Sequence, residues 1–142
     1  MKPKYNIGFT CSCFDLLHPG HVIMLEDAKN QCKQLIVGLQ DDPTIDRPNT
    51  KNKPIQSLKE RKKMLESIKY IDEIIMYKTE KDLYELLQKV KPDIRILGSD
   101  YKNKSFTGDD LNIKIYYHNR NHSYSSTNIR KRILLSEKDK TI

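Results

Sequence analysis

The sequence predicts an α/β fold in which five parallel strands form a sheet flanked by helices. Three observations predict it: short apolar runs alternate with segments of helical spacing, stretches rich in Pro, Asn and Asp separate them, and 142 residues suffice for one such domain. Alternation of this kind builds βαβ units, whose right-handed crossovers cover both faces of the sheet.

The run from Tyr5 to Cys11 is short, largely apolar and without helical spacing, which predicts a buried first strand. A loop through Phe14 and Asp15 leads to Pro19 and Gly20, where proline suits a first helical turn, and Val22, Leu25 and Ala28 carry that helix to Gln31. Leu35 to Leu39 is the second strand. The stretch from Asp41 to Pro54 is almost without apolar residues; loops of this length inside a compact domain are commonly functional, so it is expected to close over a ligand. Ser57 and Glu60 form a capping box that starts a helix running to about Lys69, and Ile71 to Tyr77 is the third strand. Leu83, Leu86, Leu87 and Val90 share one face of a helix from Lys81 that stops before Pro92. Asp93 to Gly98 and Ile113 to Tyr117 complete the sheet. A last helix from Ser126 to Leu135 ends the domain, 1–135, and leaves 136–142 as a frayed tail.

The net charge of +7 is spread over Lys and Arg interleaved with 19 acidic residues, with no aromatic and basic cluster of the kind that stacks bases. A site for small polyphosphates explains the charge without a nucleic-acid partner. Lys59, Lys62, Lys63 and Lys69 fall on one helix and read as its solvated face. Three cysteines are an odd number, the chain opens without a leader-like apolar run, and no stretch nears the ~18 apolar residues of a membrane span. The expectation is a reduced, cytoplasmic protein without a membrane partner. Cys11, Cys13, Cys32, His18 and His21 offer zinc-type ligands, but their spacing is not that of a zinc knuckle, and no residue is assigned to a metal.

In a parallel sheet, ligands bind at the carboxyl ends of the strands, at the switch point of strand order. Asp15, His18 and His21 after strand one, Ser99, Asp100 and Tyr101 after strand four, and Arg120, Asn121 and His122 after strand five should therefore gather there. A helix N-terminus attracts anions, imidazoles donate to phosphate oxygens, and Gly20 allows close approach. Taken as residues alone, the two histidines read equally well as ordinary surface or capping residues.

The run Phe14-Asp15-Leu16-Leu17-His18-Pro19-Gly20-His21 resembles the first motif of the cytidylyltransferase-like nucleotidyltransferases. Tyr124-Ser125-Ser126-Thr127-Asn128-Ile129-Arg130 resembles that family's Ile-Ser-Thr-Thr element, and Gly98-Ser99-Asp100-Tyr101 is similar to its Gly-Asp-Asp-Trp element. Order and strand context agree from about Tyr5 to Ile133. The resemblance implies a Rossmann-like nucleotidyltransferase fold and an enzyme that joins the monophosphate part of a nucleoside triphosphate to a phosphorylated small molecule, releasing pyrophosphate. Glycerol-3-phosphate cytidylyltransferases and heptose-phosphate adenylyltransferases look closest. The short chain and the Phe-Asp-Leu-Leu-His start favour the first, hence CTP with glycerol 3-phosphate or a similar polyol phosphate; ATP with a sugar phosphate is the alternative.

By the same resemblance, His18 and His21 contact the α-phosphate, Lys51 or Lys53 reaches the β- and γ-phosphates, and Arg120 holds phosphate or base. Thr10, Cys11, Ser12, Cys13, Phe14, Asp15, Gly20, Asp100, Tyr124, Ser125, Ser126 and Thr127 are expected around the nucleotide and acceptor. Magnesium is expected on the triphosphate, and a homodimer is implied. Two departures bear on the nucleotide: Asn121-His122-Ser123 stands where the cytidylyltransferase pattern has Thr-Glu-Gly, and Ser12-Cys13 where it has Gly-Thr. A different class, a binding module that kept the fold without turnover, would bind nucleotide or nucleic acid and release no pyrophosphate.

Overall fold

The computed structural model describes residues 2–140. Strands β1 (Tyr5–Ser12), β2 (Cys32–Gln40), β3 (Glu73–Tyr77), β4 (Ile94–Gly98) and β5 (Lys114–His118) form one sheet in the order β3-β2-β1-β4-β5, parallel throughout. The chain builds outward from β1 to β3, then returns to β1's other side for β4 and β5. The switch point thus lies between β1 and β4, where neighbouring loops diverge and open a crevice.

Helices α1 (Pro19–Asn30), α2 (Leu58–Glu66), α3 (Glu80–Val90) and α4 (Ser126–Asp139) connect or follow these strands. On one face Leu35, Val37, Leu39, Ile94 and Ile96 pack with Leu25 and Ala28 of α1 and Leu65 of α2. Phe9, Ile36 and Tyr77 pack on the other face with Leu83 and Leu87 of α3. Each fully buried leucine here contributes roughly 2 kcal/mol by leaving water. The capping box read at Ser57 is present: Ser57 Oγ accepts from Glu60 N, and Glu60 Oε1 accepts from Ser57 N.

Of the boundaries that depart from the sequence reading, which include a third strand that begins at Glu73 and a second helix that ends at Glu66, two have a plain cause. β2 begins at Cys32, because Cys32 pairs with Tyr5 and is buried against β1. The expected tail beyond Leu135 is helical to Asp139, for no proline or glycine interrupts that stretch; residues 141 and 142 lie outside the described residues. α4 buries no residue, and Ile133, Leu134 and Leu135 are exposed on it. Among the described residues, no helix is long and apolar enough to cross a membrane.

Candidate active site

A cleft of about 650 Å³ opens at the carboxyl edge of the sheet, bordered by the loops after β1, β2, β4 and β5 and by the first turns of α1 and α4. Both helix N-termini bring unpaired N–H groups and positive dipole ends to the same space.

The start of α1 is unusual in its chemistry. His18 is the N-cap, and its Nδ1 accepts from Gly20 N at 3.0 Å; His21 Nδ1 accepts from His18 N at 3.2 Å. Two imidazoles replace the Ser and Glu of an ordinary capping box. Each Nδ1 must be an unprotonated acceptor, so the proton of each neutral ring sits on Nε2, and each ring keeps one N–H to donate. The rings stack with centroids 3.8 Å apart. Burial, with help from His18 and Arg120, lowers the His21 pKa to about 3; burial first, then Arg120 and His122, lowers that of His18. Both are therefore uncharged donors near neutral pH.

A third imidazole joins them. His122 Nδ1 accepts from Tyr124 N at 3.2 Å, and its Nε2 is buried without a partner. A Cβ on Gly20 would lie 2.8 Å from His18 Cε1 and 2.9 Å from His122 Cε1, so only glycine lets both rings close over the helix start.

The loop after β1 is held under strain. Phe14 and Leu16 have φ of 50° and 53°, a region that costs a non-glycine residue roughly 1–2 kcal/mol. What fixes them is the Asp15 carboxylate, 5% exposed, which accepts from Ile55 N, Gln56 N and Arg130 Nη2 at 2.8–3.0 Å. Leu16 N donates to Gln56 Oε1, and Ser126 Oγ donates to Asp15 O. One aspartate thus ties the β1 loop, the 41–56 loop and α4 into a frame. Arg61, 1% exposed, completes it by donating to the carbonyls of Cys13, Gln40, Asp41 and Gln56.

Residues 9–132 match the model of the family described as cytidylyltransferase-like. The chain belongs to the cytidylyltransferase-like family. Among its relatives, the Bifunctional protein HldE of Paramagnetospirillum magneticum is 39% identical over 106 residues, covering 75% of this chain and 22% of that protein. The Bifunctional protein HldE of Campylobacter concisus is 33% identical over 138 residues, 97% of this chain and 29% of that one. This chain therefore spans less than a third of the length of these relatives. Among solved structures, the lipopolysaccharide core biosynthesis protein of Thermoplasma volcanium aligns at a TM-score of 0.65 with 25% identity, covering 85% of this chain and 99% of that one. The pantoate-beta-alanine ligase of Francisella tularensis, at 0.61 and 21%, covers 92% of this chain and 67% of its own and shares the fold.

Within this cytidylyltransferase-like chain, most residues singled out in the sequence border the cleft: Thr10, Cys11, Ser12, Cys13, Phe14, Asp15, His18, Gly20, His21, Lys51, Asp100, Arg120, Ser125, Ser126 and Thr127. Their local roles differ. Thr10 is buried, donating to Ile96 O, while Cys13 lies against Arg61 and Ser125 caps α4 by accepting from Asn128 N. Arg120 is exposed, and its Nη2 donates to Tyr124 O. Tyr124 is 46% exposed with its ring against His122, and Lys53 lies outside the cleft lining, its carbonyl accepting from Arg130 and its ammonium acting on Asp42. Among the described residues, no group of three His, Cys, Asp or Glu side chains could hold a metal ion.

Of the cleft residues that escaped the sequence reading, two are buried and basic. His118, 4% exposed at the end of β5, donates from Nδ1 to Asp27 Oδ2 at 2.7 Å and leaves Nε2 unpartnered. Arg95 is 3% exposed on β4. Arg95 stands in a strand that periodicity marks only as apolar, His118 falls one residue past the expected end of the fifth strand, and a lone basic residue gives no pattern to find.

Proposed function

We propose that this domain transfers the adenylyl group of ATP to a sugar phosphate, releasing pyrophosphate. The observation that carries the reading is the histidine capping box. Both Nδ1 atoms are occupied by backbone N–H groups, so both Nε2–H groups are set to donate to one anion at the start of α1. In the reaction an oxygen of the acceptor's phosphate attacks the α-phosphorus, the bond from that phosphorus to the α,β-bridging oxygen breaks, and pyrophosphate leaves with the bond's electrons. The nucleophile is already anionic and needs no base, so the protein's task is to align the two phosphates and stabilise charge.

In this reading His18, His21 and His122 donate to the α-phosphate, and Arg120 adds a full positive charge beside them. The first turn of α4, with Ser126 and Thr127, takes the β- and γ-phosphates together with Lys51, which borders the cleft where Lys53 does not. Neutral donors suit this place: they hold the phosphate without trapping the pyrophosphate product as two extra cations would. The described residues offer no metal cage, so magnesium would travel on the phosphate oxygens of the triphosphate, where it would supply charge neutralisation.

ATP and a sugar phosphate draw more support than CTP and glycerol 3-phosphate. The HldE relatives favour the adenylyltransferase of the two expectations. The Asn121-His122-Ser123 departure from the cytidylyltransferase pattern agrees. The test is pyrophosphate release from ATP, CTP, GTP and UTP, each with magnesium and a panel of sugar 1-phosphates and glycerol 3-phosphate. Release with ATP and a sugar phosphate is expected; release with CTP and glycerol 3-phosphate alone would replace this reading with the cytidylyl one, and none with any pair would favour the binding module.

A further inference from the structure

Across the sheet edge from the histidines, the cleft continues on the α3 side to Arg95. Arg95 pairs in register with Phe9, so its side chain rises from the α3-side core toward the carboxyl end of the sheet. Its Nη1 donates to Thr107 O, and its guanidinium lies over the Phe106 ring, 5.2 Å from the centroid. Nε is buried and has no partner. Among the described residues, Arg95 joins no ion pair.

The charges around it do not pair with it. Asp100 borders the same cleft but forms no ion pair with Arg95, and Arg47 and Glu80 pair with each other at 3.4 Å and offset one another. Burial pushes up the pKa of the Cys11 thiol and of the Tyr77 and Tyr101 phenols, so all three are neutral. One guanidinium is therefore left buried, aimed into the cleft and short of a counter-charge. A buried charge without a counter-ion costs several kcal/mol, and a buried donor without an acceptor is rare. An anionic ligand group would resolve both, and the planar fork of arginine matches a carboxylate or phosphate.

We propose that this half of the cleft binds a second acidic group, a carboxylate or phosphate, carried by the acceptor at the end remote from its reacting phosphate. Arg95 is the residue that selects it. The proposal rests on the reading above for the direction in which the acceptor lies: its reacting phosphate faces the histidines, and its far end extends over β4 toward Arg95, Phe106 and Thr107.

Glucose 1-phosphate and glucuronic acid 1-phosphate differ only in a terminal hydroxymethyl or carboxylate, so they isolate this group. With ATP and magnesium, kcat/KM for the uronic acid is expected to exceed that for glucose 1-phosphate by about tenfold, the value of one charge-assisted contact. Arg95→Gln should bring the ratio close to one, and Arg95→Lys should leave it intermediate. A ratio taken within one sample is insensitive to a misfolded fraction, and should neither variant fold, the native ratio decides. A native ratio near one, or a preference that survives Arg95→Gln, overturns the proposal. If neither sugar releases pyrophosphate, the transfer reading is in difficulty instead. Calorimetric binding of the same two sugar phosphates then tests the subsite by itself, with the same preference expected and equal affinities overturning it.

Discussion

The two halves of the cleft are built on opposite plans. On the α1 side three imidazoles face inward with Nδ1 anchored to backbone, His18 to Gly20 N, His21 to His18 N and His122 to Tyr124 N, and exposed Arg120 stands beside them. On the α3 side the inward groups are charged, and Arg47 Nε, Glu80 Oε2 and Arg95 Nε are buried without partners. Unspent hydrogen-bonding capacity is present in both halves, and the difference lies in what carries it. On the α1 side it is Nε2 of imidazoles such as His122 and His118, whose Nδ1 atoms are already held, a preorganised set for the phosphate common to every nucleoside triphosphate. On the α3 side it is charged groups, which suits a surface finished by the molecule it selects.

The largest effect should come from breaking the preorganised half. His21→Ala removes both a donor and the acceptor that holds His18 N, and kcat is expected to fall about 10²–10³-fold, as for the loss of one donor to developing charge. Steady-state pyrophosphate release checks it, and a kcat within a few-fold of the native value would mean that the histidines only cap the helix. Next is Asp15→Ala, which frees the frame shared by both halves. Leaving Ile55 N, Gln56 N and part-exposed Arg130 unpaired should lower stability by about 2–3 kcal/mol, read from urea unfolding. The smallest effect separates the two loop lysines: Lys51→Ala should raise the KM for ATP several-fold, by about 1 kcal/mol, whereas Lys53→Ala should change it less than twofold. Equal effects would put the loop in another position when nucleotide is bound.

Much of the frame was legible because it rests on local rules. Proline at a first helical turn located α1, Ser57 with Glu60 located α2, and the polar character of 41–54 located the loop that Asp15 captures. The site was legible in composition but not in detail. The tetrapeptide His18-Pro19-Gly20-His21 allows capping histidines, but nothing in it says that both Nδ1 atoms turn back to the backbone and leave both Nε2 atoms facing the cleft; that depends on the ring orientations fixed by Phe14 and Gly20. Arg61 shares the helical spacing of Leu58, Leu65 and Ile68 and reads as structural within its helix, but nothing in that spacing shows that four loop carbonyls converge on it and bury it. Arg95 was hidden for a different reason: it interrupts an apolar strand, and only the sheet's topology brings it to the cleft.

The central claim is that His18 and His21 are neutral and carry their protons on Nε2. Its acid limb follows from the shift in His21. The unfolded chain takes up this proton near its ordinary value of 6.5 and the folded chain only at about 3, so acidification between these values favours unfolding, by at most about 1.4 kcal/mol per pH unit. Nitrogen-15 NMR of the histidine side chains, recorded from pH 8 to pH 4.5 on the native chain, reads protonation and tautomer together. Both rings should show protonated Nε2 and unprotonated Nδ1 at pH 8, with His21 unchanged down to the lowest pH at which the chain stays folded. A His21 that titrates near 6.5, or a proton on either Nδ1, would contradict the account.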